Sequence, residues 1–519
     1  MTGSLLQLVA IGNEDYFFTG NPQITFFKQV YMRHTNFSIE RLEIQNEGDR
    51  RIRETNEYNF NIDTDYGDLL YYMAFHIKLP EIYADTNYQF KWIENLGGNI
   101  IEEASIFINN QLIEKIDGEF MHIHNNLKLN NNSKGIYNDC IKNLSDIFNP
   151  CHSNKYPYSS TKKNINNTSK YPVINKYYND IPTIESQKLF IPLAFFINRI
   201  PETFIPILLL RESKIRINIK LKSIHKLYTI GYPTEILSLE NKLTKCGVDS
   251  SIKIYKKTGS KFYKHESHLK NSKKSIFDFV RDKEFINDCD PTLYCYIIFL
   301  ENYEKKNFKK KQVKQFITSP KKYEFLSLKY QDTIKINNNN LVKDIYIVPK
   351  RSDIAERNQW SNYTCYDNIY FNPYKVLNNT DFSDLMKYWI HRDSEEITLI
   401  NDMNSSYFMD PGIVRGLKIR LNGDIIEDLD NSNNFYNKNK YESFKNTFLK
   451  HIIMYNFSEF PLEYQPSGHI NLATVDNFEI DFELKKTSTD TNKSYDFDID
   501  IYLMIYKEII FDTNLAYAL

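Results

Sequence analysis

Residues 190–221 read FIPLAFFINRIPETFIPILLLRESKIRINIKL. The first part, 190–210, comes nearest in this chain to a membrane span, yet Arg199, Glu202 and three prolines interrupt it. The last residues then alternate: Ile215, Ile217 and Ile219 fall on one side, Arg216, Asn218 and Lys220 on the other. Period two is the pattern of a strand with one face in a core and one in water. The stretch is read as β structure, not as a lipid-spanning helix.

The same reading extends outward. LLYYMAFHIKL (69–79), IEEASIFIN (101–109), TLYCYIIFL (292–300), KDIYIVP (343–349), RGLKIRLNG (415–423), VDNFEIDFEL (475–484) and DFDIDIYLMIY (496–506) run apolar or alternate over strand lengths. In the last of these, Asp496, Asp498 and Asp500 are expected to face water. Their DxDxD spacing lacks the glycine and closing Glu of a calcium loop. Helical signals are few, the best being GEFMHIHNNLK (118–128) and ENYEKKNFKKKQVKQFI (301–317). Neither joins strands in a regular βαβ alternation, which argues against an open parallel sheet. Many strands with long irregular connections predict an all-β chain of sandwiches or barrels. Two strand-rich blocks, roughly 36–225 and 288–519, are each about the size of an eight-stranded sandwich with long loops. Stretches 129–187 and 226–287, rich in polar residues and Lys, read as loops or insertions.

A chain of 519 residues exceeds one ordinary domain and suits two or three. Its 38 Tyr and 35 Phe supply apolar material for large cores and lean towards β structure. Lys and Arg number 65 against 66 Asp and Glu, giving a net charge of -1, so a role in coating nucleic acid is not expected. The abundance of Asn, Ile, Lys and Tyr reads as codon bias, which warns against interpreting each Asn cluster or Lys run as function. Six cysteines without a CxxC pair do not make a disulfide framework and suit a reducing compartment. The opening MTGSLLQLVAIG has no basic n-region, so no signal peptide is expected.

Catalytic patterns are missing from the sequence. There is no GxxxxGK[ST] or GxGxxG phosphate cradle, no GxSxG elbow and no HExxH helix. His122, His124, Cys140, Cys151 and His152 are the one group resembling metal ligands, and only the two histidines are tightly spaced. Neither metal nor cofactor is therefore expected. The Lys-rich run KKNFKKKQVK (305–314) is read as a solvated helix face, with Phe308, Val313, Phe316 and Ile317 packing inward. A structural assembly unit and a binding module remain, and an enzyme is not expected.

Residues 20–40, GNPQITFFKQVYMRHTNFSIE, strongly resemble the N-terminal signature of the major capsid proteins of nucleocytoplasmic large DNA viruses. The likeness continues through GDLLYYMAFHIKLP (67–80), residues 190–221, LYCYIIFLENYEKKNFKKKQVKQFI (293–317), LVKDIYIVPK (341–350), RLNGDIIE (420–427) and YNFSEFPLEYQPSGHINLATVD (455–476). The resemblance implies two consecutive eight-stranded jelly-roll barrels with long loops and a few short helices. It sets an N-terminal arm at 1–35, a first barrel at 36–225, a linker or insertion at 226–287 and a second barrel at 288–519. Residues 213–221 then close the first barrel, and 293–317 open the second. It further implies homotrimeric, pseudo-hexagonal capsomers tiling an icosahedral shell. Neighbouring capsomers, minor capsid proteins and an inner viral membrane are the implied partners, with no direct nucleic-acid binding. The protein would be made and assembled in host cytoplasm and reside in the virion. In the arm, Ile24, Phe26, Phe27, Val30 and Tyr31 are candidate assembly contacts, because a docked arm needs apolar side chains. Departures from the family pattern, such as NLATVD (471–476) after the QPSG turn, keep a minor capsid paralogue or a membrane-shaping scaffold open. A glycan-binding surface module is weaker, since the chain has only 3 Trp.

Overall fold

The computed structural model describes residues 34–51, 56–83, 89–128, 131–144, 182–231, 275–281, 289–364, 412–429, 451–485 and 496–518, apart from single positions within them, together with Gly12, Gly20, Asn21 and Ile147. In chain order the first strands are β1 (Phe37–Gln45), β2 (Asn56–Ile62), β3 (Leu69–Leu79), β4 (Gln89–Trp92), β5 (Ile101–Ile108) and β6 (Gln111–Asp117). Then come β7 (Gln187–Pro192), β8 (Ile215–Leu221), β9 (Tyr228–Gly231) and β10 (Thr292–Leu300). They form the sheets β1-β10-β3-β7 and β2-β8-β5-β6, with β4 and β9 as a separate ribbon. In β8 the three isoleucines are buried and the residues between them half-buried, as the alternation predicts. Met73, Phe75 and Ile77 of one sheet share a core with Phe60, Ile106 and Ile217 of the other. Each such side chain contributes about 1.5–3 kcal/mol by leaving water.

The second set comprises β11 (Val313–Leu328), β12 (Gln331–Lys335), β13 (Leu341–Arg351), β14 (Val414–Leu421), β15 (Asp424–Leu429) and β16 (Ile453–Asn456). It continues with β17 (Ile470–Asn471), β18 (Phe478–Leu484), β19 (Phe497–Asp512) and β20 (Leu515–Ala518). Its sheets are β11-β19-β13-β16, extended by β17 and β20, and β12-β18-β14-β15. In both halves the last long strand, β10 or β19, lies between the first and third, and the second strand, β2 or β12, pairs with β8 or β18. Two facing antiparallel sheets wound in this order make a jelly roll, and the chain carries two.

β10 is placed differently from the expectation. Residues 292–300 do not open the second barrel; they fill the gap between β1 and β3 in the first. β8, expected to close the first barrel, instead lies inside its other sheet, between β2 and β5. Alternation reports that a strand is half-buried but not which partner it pairs with, and the long return connection hides that pairing. The handover falls at the helix Asn302–Phe308, which is shorter than the helical reading of 301–317. From Val313 the chain is already strand, so Phe316 stays exposed while Ile317 is buried. Helix Gly118–Lys128 forms over the expected residues. Of the two insertions, 131–140 is helical, and most of the rest lies outside the described residues.

The barrels repeat one another in detail. In the hairpin β5–β6, Ile106 faces Glu114 and Phe107 faces Leu112, so Ile113 bulges out of register. In β14–β15, Ile419 faces Glu427 and Arg420 faces Ile425, so Ile426 bulges at the same place. Both hairpins turn through residues at positive φ, Asn109 and Asn110 in one and Asn422 and Gly423 in the other. Tight hairpins need that conformation to match strand twist, and Asn and Gly adopt it most cheaply. Asn109 accepts a hydrogen bond from the Lys214 amide at 3.0 Å, and Asn422 accepts one from the Asn477 amide at 3.0 Å.

Candidate functional site: the seam between the barrels

β13 and β19 are buried on both faces. Ile345, Ile347, Ile501 and Leu503 point into the second barrel, while Tyr346, Val348, Tyr502 and Met504 join the core cluster of the first. Sheet β11-β19-β13-β16 therefore packs its outer face against the end of β6 and the helix that follows it. Gly118 permits that sharp passage from strand to helix. A Cβ there would lie 1.9 Å from the Ile101 carbonyl oxygen, so only glycine fits. Asp117 caps the helix by accepting from the Phe120 amide at 2.8 Å. Its other oxygen accepts from the Tyr502 hydroxyl at 2.7 Å, and that hydroxyl also reaches Glu119 at 3.0 Å.

A charged network surrounds this tyrosine. Lys350 bridges Glu119 and Asp500, the latter at 2.6 Å. Lys322 meets Asp500 at 2.9 Å and Asp117 at 3.3 Å. Burial pushes the Glu119 carboxyl up, although Lys350 opposes it. Burial also acts to raise Asp500, but the Lys350 and Lys322 ammoniums outweigh it and hold that carboxyl below its usual range. The expectation that Asp500 faces water fails for this reason: its strand is covered by the other barrel, and Asp500 is buried with two cations. Asp496 does face water, and Asp498 is half-buried.

A second anchor lies beside it. Arg199 is buried and bonds Glu114 at 2.6 Å, the Ala194 carbonyl at 2.5 Å and the Thr318 carbonyl of β11. Glu114 accepts in turn from the Phe196 amide at 2.8 Å. Gln315 exchanges hydrogen bonds with the backbone of Phe204. Beyond β13 the chain returns over the first barrel: Asn358 donates to the His225 and Tyr228 carbonyls, and the Trp360 ring lies 4.2 Å under the Lys222 ammonium. Such links tie the two barrels together through buried side chains and backbone groups.

The sequence-derived candidates fare unevenly. Ile24, Phe26, Phe27, Val30 and Tyr31 lie outside the described residues. His122 and His124 are buried side chains of helix Gly118–Lys128. His122 contacts the amide nitrogens of Asn95 and Asn126, and burial holds its pKa down at about 4. Cys140 lies in another helix, and Cys151 and His152 lie outside the described residues. Among the described residues no group of three or more His, Cys, Asp or Glu is arranged to hold a metal ion. Of the seam residues, Arg199 stands out in the sequence only as a break in an apolar run, and Glu114, Asp117, Glu119, Lys322, Lys350 and Tyr502 form no chemical motif there. A signal was present in the parallel strings INNQLIE (108–114) and LNGDIIE (421–427), which mark equivalent hairpins.

The fold is that of the double jelly-roll capsid proteins. The Faustovirus major capsid protein matches 97% of this chain and 94% of its own with a TM-score of 0.60 at 12% identity. VP54 of PBCV-1, as fitted into a reconstruction of the virophage Sputnik, matches 95% of this chain and 99% of its own with a TM-score of 0.59 at 15% identity. In sequence, residues 25–256 match the family described as the major capsid protein N-terminus. The chain is 30% identical over 233 residues to the major capsid protein of Phaeocystis pouchetii virus, covering 44% of this chain and 42% of that one. It is 30% identical over 250 residues to probable capsid protein 4 of Acanthamoeba polyphaga mimivirus, covering 46% and 41%. The chain thus spans about two fifths of the length of the curated relatives it matches. It resembles the major capsid proteins of large DNA viruses in the sequence of its N-terminal part and in the fold of both barrels.

Proposed function

We propose that this chain is a structural capsid protein of a large DNA virus, three copies of which form a capsomer with six barrels around one axis. The observation that carries the reading is the repeat itself: two jelly rolls of identical strand order, fixed side by side by a buried seam. A rigid pair of like barrels is two sixths of a near-hexagonal tile, and three such pairs related by a threefold complete it. The capsid names of its sequence relatives support the same reading. On this reading the chain resides in the virion and is assembled in host cytoplasm. Neighbouring capsomers, minor capsid proteins and an inner viral membrane are its partners.

The segment 1–35 would dock beneath the barrels or on a neighbour through Ile24, Phe26, Phe27, Val30 and Tyr31. Light scattering on the purified chain tests the capsomer: a stable species of three times 61.7 kDa is expected. A monomer at every concentration would count against it. Copy number per virion separates a main shell protein from a minor paralogue of the same fold.

A further inference from the structure

The internal repeat points to the surface through which copies meet, an inference that rests on the capsomer reading above. Sheets β1-β10-β3-β7 and β11-β19-β13-β16 align residue by residue through their registers. β3 meets β10 at Tyr72–Tyr296, Ala74–Tyr294 and His76–Thr292; β13 meets β19 at Asp344–Met504, Tyr346–Tyr502 and Val348–Asp500. Each pairing skips one residue just before, Tyr71 in β3 and Lys343 in β13. By this count Tyr294 stands where Tyr502 stands, and Lys78 where Lys350 stands. Tyr502 and Lys350 are the pair that holds the carboxylates of Asp117 and Glu119 across the seam.

On the first barrel that equivalent pair is only half-buried, at the outer face of its sheet. Cations surround it: the Arg41 guanidinium lies 5.1 Å over the Tyr294 ring, and Lys188 is the register partner of Lys78. Glu43 pairs with Arg41 at 3.2 Å and hydrogen-bonds the Tyr294 hydroxyl, and Asp290 lies nearby, so Lys78 and Lys188 are the cations left facing outward. Phe37 and Ile39 on the same sheet are about half exposed, at 51% and 50%. On β3 itself Ala74 and His76 are buried, and Tyr137 and Cys140 of the helix 131–140 lie near Tyr72, so the open part of this face is that around Phe37, Ile39 and Lys78. The complementary element is exposed too. In the first barrel the hairpin residues Ile113 and Glu114 are buried, and Arg199 ties Glu114 to β11 of the second barrel. Their counterparts are not: Ile426 is 37% exposed, its neighbour Ile425 50%, and Glu427 is half-buried. Asp424, Glu427 and Asp428 make this strand acidic, with Asp428 paired to Lys418 of β14 at 2.9 Å.

We propose that the β14–β15 hairpin of one copy seats on the outer face of β1-β10-β3-β7 of the next copy. The contact repeats between chains what β6 and its following helix make with β11-β19-β13-β16 within one chain. Acidic groups of the hairpin meet Lys78 and Lys188 beside the Tyr294 ring, and Ile425 and Ile426 leave water. Each copy offers one hairpin and one sheet face, so the contact is head-to-tail. It closes into a ring of three when the barrel-to-barrel step within a chain and that between chains are each about one sixth of a turn.

The test places the photocrosslinker p-benzoylphenylalanine at Tyr294 in the full chain and uses mixed light and heavy isotope labelling to isolate links between copies. Trimers crosslinked to residues 412–429 of another copy are expected. Trimers whose links fall elsewhere overturn this interface and leave the capsomer reading intact; a chain that never oligomerises removes both. Lys78→Glu and Ile426→Asp, each checked for an unchanged melting temperature, should raise the concentration at which trimers half-dissociate by about tenfold or more. Variants that trimerise like the parent overturn the proposal.

Discussion

Replacing Arg199 by methionine isolates the strongest link of the seam. The guanidinium is buried, bonds Glu114 at 2.6 Å and bonds carbonyls on both sides of the seam. Methionine keeps much of the volume and the packing on Phe120, whose ring lies 5.6 Å from the guanidinium carbon. It removes the charge that compensates Glu114, whose side chain is fully buried. Stripping one partner from a buried ion pair costs about 3–5 kcal/mol, because the remaining ion is stranded in a low dielectric. At roughly 2–4 °C per kcal/mol for a unit of barrel size, the melting temperature should fall by about 6–20 °C. Scanning calorimetry reads this directly. The partner variant Glu114→Gln, combined with Arg199→Met, should cost clearly less than the two single changes added, since the stranded charge is then gone. A single Arg199→Met variant that melts within about 2 °C of the parent would refute the reasoning. So would strict additivity.

Tyr502→Phe removes the hydroxyl that donates to Asp117 and lies 3.0 Å from Glu119, and should cost about 1–3 kcal/mol in denaturant unfolding; an unchanged midpoint would mean that the lysines alone satisfy the carboxylates. His122 is held at about 4 by burial, against 6.5 when exposed, so below pH 6.5 the unfolded chain takes up a proton that the native one refuses. Its contribution is complete above pH 6.5 and fades by up to about 3 kcal/mol as the pH falls towards 4. His122→Gln should flatten that acid limb, and an NMR titration midpoint near 6.5 in the native chain would sink the assignment. Deleting residues 1–35 should weaken capsomer or lattice formation while both barrels still melt as in the parent. Normal assembly of the shortened chain would count against the arm.

Strands were legible wherever one face meets water. β8 and β18 show the expected alternation residue for residue, because a single sandwich interior reads them. The alternation fades in β13 and β19, where a second barrel covers the outer face and Tyr346, Val348, Tyr502 and Met504 are buried too. That same cover turned Asp500 from an expected surface acid into a buried ion-pair member. The pairing of β10 with β1 and β3 could not be read from sequence, since strands more than 200 residues apart (compare Ile39 and Ile298) meet without any local mark. The seam was hidden for a related reason. Glu114 and Arg199 are 85 residues apart and look like ordinary charges until burial makes them partners. The repeated hairpin strings were the one trace available in the sequence.

The divergence between the two equivalent sheet faces has a physical basis. Lys350 and Tyr502 face a partner joined by the same chain, so the second surface is always present at high effective concentration. Such a seam can bury ammonium and carboxylate groups, because the folding of one molecule offsets their desolvation and they are never left exposed and unpaired. Lys78 and Tyr294 occupy the same register positions on a face that, on the proposed interface, meets water until another copy arrives. There the cations remain hydrated and the aromatics only half covered, ringed by Arg41, Glu43 and Lys188. Charge kept at the rim speeds the encounter and selects its orientation, while apolar Ile425 and Ile426 supply surface that gains only on contact. One hairpin design, copied with its bulge and turn, is thus a permanent joint in the first barrel, and on the proposed interface it would be a reversible one in the second.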